Sequence, residues 1–245
     1  IPAEVISGMT ADQLEAISEN PEAISAMTAG QLGAIPMGSM TADQIAAIPA
    51  EAMSGMTADQ MGAIPPEAMS GMTADQMAAI PAESMGPALD EYGYPVDDTG
   101  MTAGQLGAIP PEAMGSMTAD QMAAIPAEVM RGTWNEDTGS LTGGMTADQM
   151  AAIPAEVISG MTADQMGEIP PEAISGMTAD QMAVIPAEVM GGTVDEYGDL
   201  MGGMDAYQMG AIPPEAMGSM TADQMAVIPA EVISGMTADQ LEAIS

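Results

Sequence analysis

The 245-residue chain carries 36 acidic side chains against a single basic one, Arg131, for a formal net charge of −35. That balance excludes docking on nucleic acid or on an anionic membrane surface, because nothing here neutralises phosphate. Cysteine and histidine are both absent, which excludes disulfides, thiolate and imidazole chemistry, haem ligation and Cys/His zinc sites.

Along the chain one cassette returns thirteen times, first as Met9-Thr10-Ala11-Asp12-Gln13-Leu14-Glu15-Ala16-Ile17. Its Met recurs at 9, 27, 40, 56, 72, 101, 117, 145, 161, 177, 204, 220 and 236, always with Gln four and Ile eight places later. The Thr is replaced once, by Asp205, which has the same capping chemistry. Thr-Ala-Asp-Gln predicts a helix start: the Thr hydroxyl accepts from the Gln N–H, and the Gln side chain reaches back to the Thr N–H. Met before the cap and Leu or Met after the Gln, as in Met9 with Leu14 or Met56 with Met61, add a hydrophobic staple.

The helix must be short. Pro follows the Ile in eleven cassettes (Pro49, Pro65, Pro81, Pro126 and Pro154 among them) and pushes the residue before it out of helical geometry. A second short helix then follows, Pro-Ala-Glu-Val-Ile or Pro-Pro-Glu-Ala-Met, with Pro at its first position. Ser54-Gly55, Ser70-Gly71 or Gly115-Ser116 reads as its C-terminal cap. Caps recur at one constant interval where the array is undisturbed, as from Thr41 to Thr57 to Thr73. Near the start the interval is longer from Thr10 to Thr28 and shorter from Thr28 to Thr41, and Pro36-Met37-Gly38-Ser39 has lost most of its second helix.

Helices this short are not stable alone, so the cassettes must stack on one another. The expected fold class is all-α: a solenoid, or superhelix, of ~16-residue repeats, each of two short helices. It runs as one continuous array over residues 1–245. Both ends fall within a repeat, so the chain reads as a window of a longer protein. Thirteen coils packed at helix–helix distances predict a rod roughly 100 Å long.

Three loop insertions, at 84–100, 131–144 and 190–203, stretch the cap interval from Thr73 to Thr102, from Thr118 to Thr146 and from Thr178 to Asp205. They hold the only Trp and three of the four Tyr, each beside paired acids. Insertions in a solenoid are where specificity concentrates, so Tyr92, Tyr94, Trp134 and Tyr197 are the candidate partner-binding residues. Asp90, Glu91, Asp97, Asp98, Glu136, Asp137, Asp195, Glu196 and Asp199 are the candidates for calcium, since carboxylates among glycine turns suit a hard cation. None of them follows the spaced D-x-D-x-D-G ligand loop. The acids inside the cassettes have a plainer reading, because Asp and Glu in a first helical turn complement the helix dipole.

The 30 Met raise soft-metal binding, as thioethers take copper(I). Thirteen sit at the staple and eight more after the Gln, so core packing accounts for most of them. Without His, Cys or Lys, catalysis would fall to a carboxylate pair in one cleft, which a repeating rod does not offer. The chain is not expected to be an enzyme or to hold a cofactor other than calcium.

The T-A-D-Q-x-x-A-I-P unit is similar to the short T-x-E-Q and T-x-D-Q helical repeats of very large bacterial surface and secreted proteins, and to cassettes in some phage virion proteins. The resemblance covers the thirteen cassettes and leaves the insertions unmatched. It implies an extracellular or cell-surface structural setting, or a virion, with no catalytic residues to carry over. The leading expectation is therefore a rod, stalk or filament that continues or self-associates. The alternative is an adhesion module presenting its acidic-aromatic loops to a glycan or protein.

Overall fold

The computed structural model describes residues 13, 16, 20–35, 37–90, 92, 94–96, 99–136, 140–194 and 200–244. Among them the architecture is an all-helical solenoid interrupted by short β-ribbons. Each regular cassette gives a six-residue helix such as Ala74–Ala79 or Ala119–Ala124 and a shorter one such as Pro66–Met69 or Ala155–Ile158.

The helix starts are those the sequence predicts. At Thr118 the hydroxyl accepts from the Gln121 N–H at 3.2 Å, and Gln121 Oε1 accepts from the Thr118 N–H at 2.8 Å. Asp205 performs the same exchange with Gln208, accepting at 2.7 Å. Replacing Thr118 by Ala removes one such cap and is expected to cost about 1 kcal/mol, read as a lower urea midpoint, while Thr118→Ser retains most of it.

The Ile before each Pro turns the chain out of the helix: Ile64 and Ile125 are extended, with ψ of 127°. Two local readings change. In Pro-Pro cassettes the second Pro is the first helical residue and the first is the N-cap, as with Pro65 and Pro66. In Pro-Ala cassettes the lone Pro is itself the N-cap, as at Pro49. The Ser-Gly pairs are not left-handed caps either. Ser70 is right-handed at φ −63°, and Gly71 is needed for close approach, because a Cβ there would fall on the backbone carbonyl of Ala42.

The winding is the main feature that the period does not reveal. Each short helix packs on the third element further along: Ala42–Ala47 on Pro66–Met69, Ala50–Met53 on Ala74–Ala79, Ala127–Arg131 on Ala163–Glu168. A superhelical turn thus closes after somewhat fewer than two cassettes. The twelve cassettes from Met27 onward make about eight turns, a rod of roughly 60–80 Å rather than the roughly 100 Å expected from one coil per cassette.

What locks successive turns is the invariant Gln. Its Nε2 donates to two carbonyls of the cassette two places back: Gln76 to Ile45 and Ile48, Gln121 to Met77 and Ile80, Gln181 to Met150 and Ile153, each at 2.6–2.8 Å. From Gln60 to Gln240 these side chains are buried, between 1% and 9% exposed. Their oxygens cap their own helix, while their nitrogens reach the carbonyl of the Ile before Pro and a second carbonyl three residues earlier, such as Ile45 O, which already accepts the Ile48 N–H. No buried side-chain nitrogen or oxygen among the described residues lacks a partner.

Around this polar ladder the core is one continuous cluster of Met, Ile, Leu and small residues. Met61, Met77, Met122, Met150, Met166 and Met182 are all fully buried. Asp43, Asp75 and Asp120 in first turns and Glu67, Glu112 and Glu156 in second helices reach solvent. Such acids recur along the array, whose turns pack roughly 8–10 Å apart, close to the physiological Debye length of about 8 Å. Raising NaCl from about 10 mM to about 500 mM is expected to lift the melting temperature by roughly 5 °C by screening this repulsion. A melting curve indifferent to salt would contradict it.

Candidate functional site

The insertions stand on the array without breaking its register. At each one a backbone bond closes the feet: Met101 N–H to Met85 O, Met145 N–H to Met130 O, and Met204 N–H to Met190 O, at 2.9–3.0 Å. The returning glycines also bond to an earlier turn, Gly100 N–H to Ala58 O, Gly144 N–H to Ala103 O and Gly203 N–H to Ala163 O, at 2.7–2.8 Å. The positive-φ glycines of the described residues all lie in the insertions, including Gly132 at 93° and Gly144 at 75°. Left-handed backbone is what lets the chain leave and rejoin the helical path.

Two insertions are ribbons, not irregular loops. β1 (Thr133–Asn135) pairs antiparallel with β2 (Ser140–Thr142). β3 (Thr193–Val194) pairs likewise with β4 (Leu200–Met201). In the first insertion a bridge joins Leu89 and Pro95. The insertions do not all enter one stack. Those at 84–100 and 131–144 precede the cassettes of Gln105 and Gln149, which are linked by the Gln149 bond to Leu106 O. The insertion at 190–203 precedes the cassette of Gln208, which is bonded to that of Gln165 through Met166 O.

The candidate partner-binding residues are presented to solvent. Tyr92, Tyr94 and Trp134 are 77%, 68% and 60% exposed. Trp134 lies opposite Leu141 across the ribbon, and Leu141 is also exposed. The ribbon stands as a wall between two clefts. Trp134 and Leu141 line one of about 530 Å³ with Met145, Pro170 and Glu172. Thr133 and Thr142 line the other, of about 420 Å³, with Gly104 and Gly107. Arg131 also lines the first, and its Nε lies 3.2 Å from Oε2 of Glu168, which lines a separate cleft with Asp164 and Gly202; the pair is exposed and of small energetic weight. Sequence reasoning missed Leu141 and Glu172. Leu141 was signalled by Thr-Trp-Asn and Ser-Leu-Thr flanking a glycine turn, a hairpin pattern. Glu172 was hidden as one of many first-turn acids.

Of the calcium candidates, Asp90 turns its carboxylate onto its own loop. Its Oδ1 accepts from the Tyr92 N–H at 2.9 Å and the Tyr94 N–H at 2.8 Å, which explains an Asp at this position without a cation. Glu136 is exposed beyond β1. Glu91, Asp97, Asp98, Asp137, Asp195, Glu196, Asp199 and Tyr197 lie outside the described residues. No three acids converge among the described residues, and no helix there is long and apolar enough to cross a membrane. No protein-family model matches the chain, and neither a curated protein nor a solved structure matches it.

Proposed function

We propose that the chain is a structural rod, a segment of an extracellular or cell-surface stalk or filament that works as spacer and scaffold. The observation that carries this reading is the unbroken glutamine ladder. It joins cassettes two apart from Gln60 to Gln240 and passes each insertion without loss. A chain held this way spends its length on extension, and its exposed acids keep neighbouring rods apart until a counter-ion bridges them. Calcium is the counter-ion proposed for the insertion carboxylates.

Light-scattering mass and small-angle X-ray scattering, in EDTA and then in millimolar calcium, test the reading. An elongated particle in EDTA, with end-to-end growth on adding calcium, is the expected result. A compact particle would overturn the rod, and an elongated monomer unmoved by calcium would overturn calcium-linked assembly. A second reading, a display module for a partner, is favoured by the exposure of Tyr92, Tyr94 and Trp134 on insertions clamped to a stiff support.

A further inference from the structure

We propose that the Trp134 cleft receives a lysine or arginine side chain from an extended basic segment of another protein, its cation held between the indole face and the Glu172 carboxylate. The proposal rests on the display reading and names the partner's chemistry. Trp134 and Leu141 share the ribbon face that lines the cleft, and Pro170 and Glu172 line it from the helical array. The ribbon is fixed at both feet by Met145 N–H to Met130 O at 2.9 Å and Gly144 N–H to Ala103 O at 2.7 Å. The indole is therefore presented on a rigid support and not on a free loop, which lowers the ordering cost of binding.

Charge selects the occupant. The chain has one cationic side chain, Arg131; it also lines this cleft, but it is paired at 3.2 Å with Glu168 outside it, which leaves the Glu172 carboxylate for an incoming cation. A second copy of this chain, at −35, is repelled, as is any anionic polymer. Trp is the ring that attracts a cation most strongly. Leu141 and Pro170 offer apolar surface to the methylene stem behind that cation.

Because Trp134 is the only Trp, its emission reports this site alone. The probe is a blocked hexapeptide alternating Gly and Arg, titrated at about 150 mM salt beside a Gly/Gln hexapeptide and cellohexaose. The expected result is a saturable emission change with the Arg peptide only. By calorimetry, Glu172→Gln and Trp134→Leu each weaken binding by about five- to tenfold, with unchanged helical circular dichroism. Equal binding to wild type and both variants would overturn the proposal, since the acidic surface alone would then hold the peptide. A response to cellohexaose and not to the Arg peptide would overturn the cation while keeping the display reading. No response to any probe would overturn both.

Discussion

Gln121→Ala is expected to lower stability by roughly 2–4 kcal/mol. The mutation removes the acceptor of the Thr118 N–H and the donor to Met77 O and Ile80 O. Ile80 O then loses its donor in the core, where an unsatisfied polar group costs about 1–3 kcal/mol, while Met77 O keeps the Ile80 N–H at 3.3 Å. Gln121→Glu is expected to be worse at neutral pH. The shape survives, but an ionised carboxylate cannot donate and sets its charge against two carbonyl oxygens at a site only 2% exposed. Burial would raise the carboxyl pKa of this Glu above its unfolded value of about 4.3. With a raised folded pKa, the contribution of the neutral acid is fully present below that unfolded value and is lost as pH rises through the folded one. Chemical denaturation at neutral pH and near pH 4 should therefore show the Gln121→Glu deficit shrinking in acid, while that of Gln121→Ala stays nearly constant. Equal stability of wild type and both variants would contradict the ladder.

Gly71→Ala is the second large effect, expected to cost about 3 kcal/mol or more or to prevent folding. Its Cβ would overlap the Ala42 carbonyl carbon and oxygen, which are backbone atoms that move only if two turns separate. Gly176 stands in the same relation to Ala147, and Gly235 to Ala206. Gly38 supplies the control, for the nearest atom to a Cβ there is the Ala63 carbonyl oxygen at 3.6 Å. Gly38→Ala is expected to be neutral or to stabilise by about 0.5 kcal/mol, by restricting the unfolded chain. Thermal melts of the two variants side by side decide it, and a Gly71→Ala protein as stable as Gly38→Ala would sink the close-approach account.

Local structure was legible because its determinants lie within a single cassette. Thr118, Gln121 and Ile125 specify a start, a reciprocal cap and a stop, and all three are found as read, while Pro126 is the N-cap of the next helix and not its first residue. The winding was not legible, because the repeat period is the same whether a cassette meets its neighbour or the one beyond it. Only the second half of the Gln role, its Nε2 on Met77 O and Ile80 O, records that choice, and those carbonyls have no sequence signature. The glycines misled for a related reason. Gly after Ser is the expected helix stop, yet at Gly71 the decisive neighbour is Ala42, in the helix of the preceding cassette. Of the candidate site, the aromatics were visible as compositional exceptions. Glu172 was not, since its chemistry depends on where the ribbon stands.

Each Gln links its helix to the first helix of the cassette two places back, and spin-label distances test that most directly. The chain has no cysteine, so Asp43→Cys with Asp75→Cys, and Asp43→Cys with Asp59→Cys, can each be labelled cleanly at solvent-accessible sites. The two-apart pair spans adjacent turns, with backbones roughly 8–10 Å apart, and should give strong short-range dipolar coupling. The one-apart pair spans the rod and should lie about twice as far apart or more. Stronger coupling between positions 43 and 59 than between 43 and 75 would mean that the first helices of neighbouring cassettes stack directly, which would contradict the glutamine ladder.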